Sequence, residues 1–341
     1  SYGTKASVQK RRLSLEDLGR SITVAGDYRL TRVAAGKRPI HLAIRGDWQF
    51  KDKELAEMAA KVIAAQREFW DDHSQKYYLI TLVPLDEGPN SFSFGGTGLL
   101  DSFALFATPN ADVAGLRGLL AHEYFHNWNP VQLGKMPDPE RSMYWFSEGF
   151  TDFYTYELLH RSKLITTDEY IAEINRRISD YYMLPVRTEP NSRIVDDFWT
   201  DRDVGRLPYL RGSIFAMNLN AAIKRETRGR RSLDDVMRAL YARYYERGEG
   251  AWSALHALAR IAHPSSVPIF KARLEAVEVV VGGVERIAGG GQVVGHEGGQ
   301  RDQRAEGGRH ASYHAPAGRA DSVTWHAGCH GRNCRIPCDR L

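Results

Sequence analysis

Cysteine is absent from the first 328 of the 341 residues, and the three cysteines all lie in the C-terminal tail. The body of the chain therefore contains neither a disulfide nor a thiol nucleophile. It also lacks any apolar run near the roughly 20 residues that a membrane-spanning helix needs. The net charge is only +4, and no basic stripe alternates with aromatic residues. We therefore expect no nucleic-acid partner and no membrane span.

The composition changes after about residue 250. Residues 281–341 hold 13 of the 31 glycines and eight arginines, but no lysine or phenylalanine. Such a segment buries too little apolar surface to offset its conformational entropy, so residues 251–341 are predicted to be a poorly ordered tail. The tail is either naturally flexible or, as we favour, not the native continuation of the protein. Cys329, Cys334 and Cys338 match no standard zinc module, and we expect no metal there.

The rest of the sequence predicts strands first and helices afterwards, which is the order of an α+β fold. Alternating and continuous apolar runs predict the strands, and apolar residues at i, i+3, i+4 and i+7 predict the helices. The strands are expected at residues 22–24, 40–44, 77–84, 92–98 and 102–108. The helices are expected at residues 52–70, 110–130, 147–160, 167–181, 208–225 and 232–246.

Two histidines four residues apart carry the main chemical signal. His122 and His126 lie in the predicted helix 110–130, and residues at i and i+4 share one helix face. Two imidazoles on one face can bind a zinc ion, with a carboxylate as third ligand and water in the fourth position. Glu123 can then take the proton of that water as general base. The alternative is a helix whose histidines are surface or core residues.

A second motif begins the following helix. Glu148 lies 22 residues after His126 and can supply the third ligand from another element. A first-turn glutamate that interacts with the helix N-terminus is the common alternative. Asp152 lies one turn later and can accept the second ring N–H of His122 or His126. An exposed helical aspartate explains Asp152 equally well.

The two segments that hold these residues, HEYFHNWN and WFSEGFTDFYT, resemble the glycyl-aminopeptidase family of zinc metallopeptidases over about residues 14–250. Members are gluzincins with a thermolysin-like catalytic domain, often followed by a PDZ domain. The resemblance implies one Zn²⁺ per chain, held by His122, His126 and Glu148, with Glu123 as catalytic base. It also implies a small mixed sheet followed by a mainly helical half that carries the HExxH helix.

The resemblance adds two further parts of a site. Tyr209 lies 61 residues after Glu148 in a Tyr-x-x-Gly stretch, where relatives place a hydroxyl that donates to the developing oxyanion. A tyrosine packed at a helix start is the alternative. Gly95 and Gly96 correspond to the strand that lines the cleft, whose backbone can pair with an extended substrate. The family motif continues to a glutamate that binds the substrate's amino terminus, but here Gly98 stands in that place.

These observations predict zinc-dependent hydrolysis of peptides or unfolded polypeptides, with aminopeptidase activity as one form of it. The alternatives are a catalytically impaired relative that binds peptides, and a zinc hydrolase of other substrates. We divide the chain into the remnant of a β-rich N-terminal domain (1–46), a metallopeptidase domain (47–250) and the tail (251–341). The opening at Ser1 looks truncated, and no PDZ-like segment follows residue 250. By resemblance the protein is bacterial and periplasmic or secreted, with a cytoplasmic location as the alternative.

Overall fold

Most of the helices follow the last strand in the computed structural model of the protein, which describes residues 12, 14–86, 92–133, 136 and 138–247. The tail predicted over 251–341 and its cysteines lie outside the described residues. The strands are β1 (Arg29–Ala35), β2 (Arg38–Ile44), β3 (Leu79–Pro84), β4 (Phe94–Leu99) and β5 (Ser102–Ala107). The helices are α1 (Leu15–Gly19), α2 (Asp52–Trp70), α3 (Val113–Phe125), α4 (Tyr144–Arg161), α5 (Thr167–Met183), α6 (Asn191–Asp197), α7 (Arg202–Glu226) and α8 (Leu233–Arg247), with a 3-10 helix at Glu140–Met143.

The five strands form one mixed sheet in the order β1-β2-β3-β5-β4. The β2–β3 and β3–β5 pairs are parallel, whereas β1–β2 and β4–β5 are antiparallel. Strand β4 is therefore an edge strand of the described sheet, with one row of backbone groups not used for strand pairing. A small mixed sheet followed by helices is the predicted fold class, which is confirmed.

The predicted strand at residues 22–24 is wrong, since that segment is neither helix nor strand. The chain instead forms β1, which reaches β2 through a tight turn where Gly36 has a φ of 64°. The polar and apolar residues of β1 do not alternate regularly, so the period-2 pattern that predicts a strand is weak there. Because β2 pairs with β3, the boundary proposed at residue 46 falls between two neighbouring strands of one sheet. The division of the chain into domains stays a prediction.

Helix α2 holds the HExxH helix α3 in place. Gln66 of α2 donates a 2.6 Å hydrogen bond to the carbonyl of Ala121, and buried Arg67 donates to the hydroxyl of Tyr124 at 2.9 Å. The start of α3 is capped by Asp112, whose side chain accepts from the Gly115 N–H at 2.6 Å. These polar contacts sit within an apolar interface, so α3 is fixed along its length.

Helices α4 and α7 approach each other closely at two glycines. A Cβ at Gly212 would overlap the Trp145 carbonyl oxygen and lie 2.8 Å from the Cα of Gly149. A Cβ at Gly149 would in turn overlap Gly212 and lie 2.9 Å from the Pro208 carbonyl oxygen. The two backbones therefore touch because neither position carries a side chain. This contact fixes Tyr209 on α7 relative to Glu148 on α4.

Gly212→Ala is expected to lower the free energy of unfolding by roughly 1–3 kcal/mol, because the added methyl group forces the two helices apart. Urea denaturation measures the loss. Gly118→Ala in α3 is the matched control, since a Cβ there meets only the movable Tyr156 hydroxyl at 3.2 Å. The control should be neutral or stabilising, because alanine favours the helix. Equal stability of Gly212→Ala and the wild type would contradict the close approach.

Candidate metal centre

Three side chains from two helices meet at one point. His122 and His126 come from α3 and the residue that follows it, and Glu148 comes from the first turns of α4. The Nε2 atoms of the histidines are 3.1 Å apart, and Glu148 Oε2 lies 3.3 Å from His122 Nε2 and 3.4 Å from His126 Nε2. The three groups form the one His/Cys/Asp/Glu cluster with metal-binding geometry among the described residues.

This triangle has the size that a zinc site requires. Tetrahedral zinc with bonds of about 2.0–2.1 Å separates its ligand atoms by about 3.3–3.4 Å. The observed edges of 3.1, 3.3 and 3.4 Å match that separation. Two imidazoles and one carboxylate are also a typical donor set for a catalytic zinc ion, so the residues present fit the metal that the sequence predicts.

Both imidazoles are oriented by their other nitrogen. His122 Nδ1 lies 2.9 Å from Asp152 Oδ1, and His126 Nδ1 lies 2.8 Å from the carbonyl oxygen of Asn129. In each case the Nδ1–H donates to an oxygen, which leaves the Nε2 lone pair for the metal. Of the two histidines proposed as partners of Asp152, the structure therefore pairs it with His122. The carbonyl of Asn129 is a partner that the sequence did not indicate.

The site favours positive charge. Burial lowers the pKa of His122, but its hydrogen bonds to Asp152 and Glu148 outweigh burial and raise that pKa to about 10. Burial raises the pKa of Glu148, but the two histidines lower it well below its usual range. A buried carboxylate that stays ionised beside two imidazoles provides the field in which a cation is stabilised.

A buried arginine lies behind Asp152. The Arg177 guanidinium on α5 forms an ion pair with Asp152 Oδ2, and its Nε donates to Glu173 Oε1 at 2.8 Å. Its guanidinium also lies 4.7 Å above the ring centre of Tyr156. Burial raises the pKa of Asp152, but the charge of Arg177 and the bond to His122 lower it to about 2. Arg177 carries no local signal in the sequence, because only the packing of α5 against α4 brings it to the site.

Glu123 points into a cavity beside the triangle. This cavity, which we call the Gly98 cavity, has a volume of about 690 Å³ and is lined by residues that include Glu123, His126 and Gly98. Burial raises the pKa of Glu123, and the nearby His126 and His122 partly offset that effect. A Cβ at Gly98 would lie 3.8 Å from Glu123 Oε2. The edge strand β4 therefore passes directly beside the predicted base.

Tyr209 also lies close to one of the two histidines. Its ring centre is 6.0 Å from that of His122, so the structure brings it to the site. The helix that carries it begins at Arg202 rather than at Pro208, which corrects the predicted start. Asp201 caps α7, and Pro208 lies inside the helix, where a proline is not expected from sequence rules. Tyr209 therefore occupies a well-formed helical turn rather than a helix start.

The two glycines predicted to bind substrate, Gly95 and Gly96, lie in β4, and neither is among the residues that line the Gly98 cavity. Gly96 lacks a side chain for a packing reason, because a Cβ there would overlap the Phe103 ring. A Cβ at Gly95 would meet no heavy atom within 4 Å. In an antiparallel pair, successive residues point their backbone groups alternately toward the partner strand and away from it, so one of these two glycines presents its N–H and C=O to the open edge of the described sheet, where an extended chain can add.

Comparison with known proteins supports the resemblance found in the motifs. The sequence profile of the M61 glycyl aminopeptidase family matches residues 115–195, which include both motifs but neither Tyr209 nor β4. No curated protein matches the sequence significantly. Within the described residues, none of the helices is both long and apolar enough to cross a bilayer.

Solved structures with a similar fold are M1-type peptidases. An aminopeptidase N family protein from Idiomarina loihiensis has 20% identity and a TM-score of 0.55, with 66% of this chain and 43% of that chain covered. An M1 zinc metallopeptidase variant from Deinococcus radiodurans was solved with a Tyr-Ser-Ala substrate. It has 16% identity and a TM-score of 0.47, with 72% of this chain and 51% of that chain covered. The chain thus spans about half or less of the length of these two relatives. By its motifs it resembles the M61 glycyl aminopeptidases and by its fold an M1 aminopeptidase, and both likenesses agree with a gluzincin peptidase.

Proposed function

We propose that the protein is a zinc-dependent peptidase that hydrolyses peptide bonds, with one zinc ion held by His122, His126 and Glu148. The observation that carries this proposal is the triangle of ligand atoms, whose edges of 3.1, 3.3 and 3.4 Å fit tetrahedral zinc. The adjacent carboxylate of Glu123 supplies a general base, which a protein that only binds zinc or peptide does not need. Relatives that are zinc peptidases support the same reaction class.

Bound zinc would supply Lewis acidity, which lowers the pKa of a coordinated water and polarises the substrate carbonyl. Glu123 accepts a proton from the attacking water as the new C–O bond forms. Glu123 then passes this proton to the amine nitrogen as the C–N bond breaks. The second proton of the water passes from the new carboxylic acid to the amine, so the products are one carboxylate and one ammonium group, and Glu123 carries the first of the two protons.

Two other parts of the chain assist. The hydroxyl of Tyr209 donates to the oxygen that becomes negative, because its ring lies beside the ring of the metal ligand His122. The free edge of β4 at Gly95 and Gly96 binds the substrate backbone in extended form. Asp152 keeps the imidazole of His122 in the tautomer that presents Nε2 to the metal.

Metal analysis of the purified protein tests the proposal. We expect about one zinc per chain in the wild type and loss of zinc in His126→Ala, because two ligands do not hold the ion as three do. Chelation should abolish peptide hydrolysis, and added zinc should restore it. A folded wild type that binds no zinc, or a zinc-loaded protein that cleaves no peptide, would overturn the proposed function.

A further inference from the structure

The Gly98 cavity extends the site beyond the position of the reacting bond. Its volume of about 690 Å³ lies in the range of about 300–1,000 Å³ that encloses drug-sized ligands. Glu123 and His126 form part of its wall, so the cavity opens directly onto the predicted base and metal ligands. It is therefore large enough for more than one side chain of a bound peptide.

The wall nearest the base has no side chain. A Cβ at Gly98 would point toward Glu123 Oε2 from 3.8 Å, so any larger residue there would project beside the base and narrow the passage. Gly98 belongs to the edge strand β4, and just beyond it the Leu100 N–H donates to the carbonyl of Arg20 at 2.7 Å. A peptide that adds to this edge before Leu100 meets no side chain at Gly98 and can enter the cavity there.

The described lining has no surplus of acidic groups that would favour a terminal ammonium group. Among the described lining residues, Arg20 and Lys76 are cationic, and Asp101 and Glu123 are the acidic groups, so the charges balance. Asp101 Oδ1 already accepts a 3.0 Å hydrogen bond from Gln75. An enzyme that requires a free amino terminus must pair that buried ammonium with a fixed anion, because an unpaired charge is costly to bury.

We propose that the Gly98 cavity accommodates a stretch of extended peptide beyond the cleaved bond, so that the substrates are peptides cut at internal bonds with no need for a free amino terminus. This inference rests on the proposed peptidase function. It assigns to Gly98 the role of a specificity-determining residue, whose missing side chain leaves room beside Glu123 for the peptide.

Binding to the Glu123→Gln variant tests this inference without turnover. The probe is one fluorescein-labelled peptide in two forms, with a free or an acetylated amino terminus, measured by fluorescence anisotropy. We expect the two dissociation constants to agree within about threefold. Binding of the free form alone, or single-residue removal from the amino terminus by the wild type, would overturn the inference.

The second part of the experiment adds Gly98→Glu to the Glu123→Gln variant and repeats the anisotropy measurement. We expect the acetylated peptide to bind at least about tenfold more weakly, because the new side chain fills the passage. An equal loss of affinity for the free and the acetylated peptide also supports a peptide that passes Gly98. Unchanged affinity for both forms overturns the inference. Leu30→Glu is the matched control, since it adds the same charge at the exposed position on β1, the far edge of the sheet.

The two proposals fail separately. If the zinc-loaded wild type hydrolyses neither form of the peptide, the proposed function fails, yet the binding measurements still decide whether the cavity takes an acetylated peptide. If the free peptide is cleaved only at its first bond and acetylation abolishes both binding and cleavage, the peptidase function stands and the internal-bond inference fails.

Discussion

Glu123→Gln is expected to lower kcat for peptide hydrolysis by about 10²–10⁴-fold while zinc content stays at the wild-type level. The glutamine amide is nearly isosteric with the carboxylate but cannot accept the proton of the attacking water. Glu123 makes no contact that holds His122 or His126, since those imidazoles are fixed by Asp152 and by a backbone carbonyl. The metal site should therefore survive the change.

Steady-state kinetics with one peptide, together with metal analysis of the same samples, measures this effect. Glu57→Gln makes the same chemical change on the exposed side of α2 and should leave kcat unchanged. Retained hydrolysis by the Glu123→Gln protein would contradict the assignment of the base. Loss of zinc from that protein would instead show that Glu123 supports the metal site.

The HExxH spacing was enough to predict the centre of the site, because it depends only on local helix geometry. His122 lies on α3 and His126 lies one turn later, at the residue that follows α3. Glu148 was also predicted correctly as a neighbour of the histidines, although its position depends on how α4 packs against α3. The prediction came from the need of a two-histidine zinc site for a third ligand from another element, which periodicity alone does not contain.

Other features depend on tertiary packing and were not predictable. Strand β1 has weak apolar alternation and is stabilised by its pairing with β2. Pro208 suggested a helix start, yet α7 continues through it because the capped first turn begins at Arg202. Arg177 gave no local signal of a role in the site. Its relevance appears only when α5 packs beside α4 and carries the guanidinium to Asp152.

That buried arginine leads to the second large effect. Arg177→Met is expected to weaken zinc binding by about 10–100-fold, the range found when groups behind a metal ligand are removed. Arg177 compensates Asp152, and the side chains of both are only 13% exposed. Without the guanidinium, Asp152 becomes an uncompensated buried carboxylate and turns toward water or takes up a proton. Either change removes the fixed acceptor for His122 Nδ1–H.

The variant should also lose roughly 3–5 kcal/mol of stability, because one partner of a buried ion pair is missing. Zinc affinity by competition with a chelating dye, and urea denaturation of the zinc-free protein, separate the two effects. Arg176→Met is the matched control, since that neighbouring side chain is 55% exposed and contacts Glu173 and Asp180 but not Asp152. Arg177→Lys, which keeps the charge, should recover part of the zinc affinity. Wild-type zinc affinity in a folded Arg177→Met protein would show that Asp152 orients His122 without help from α5.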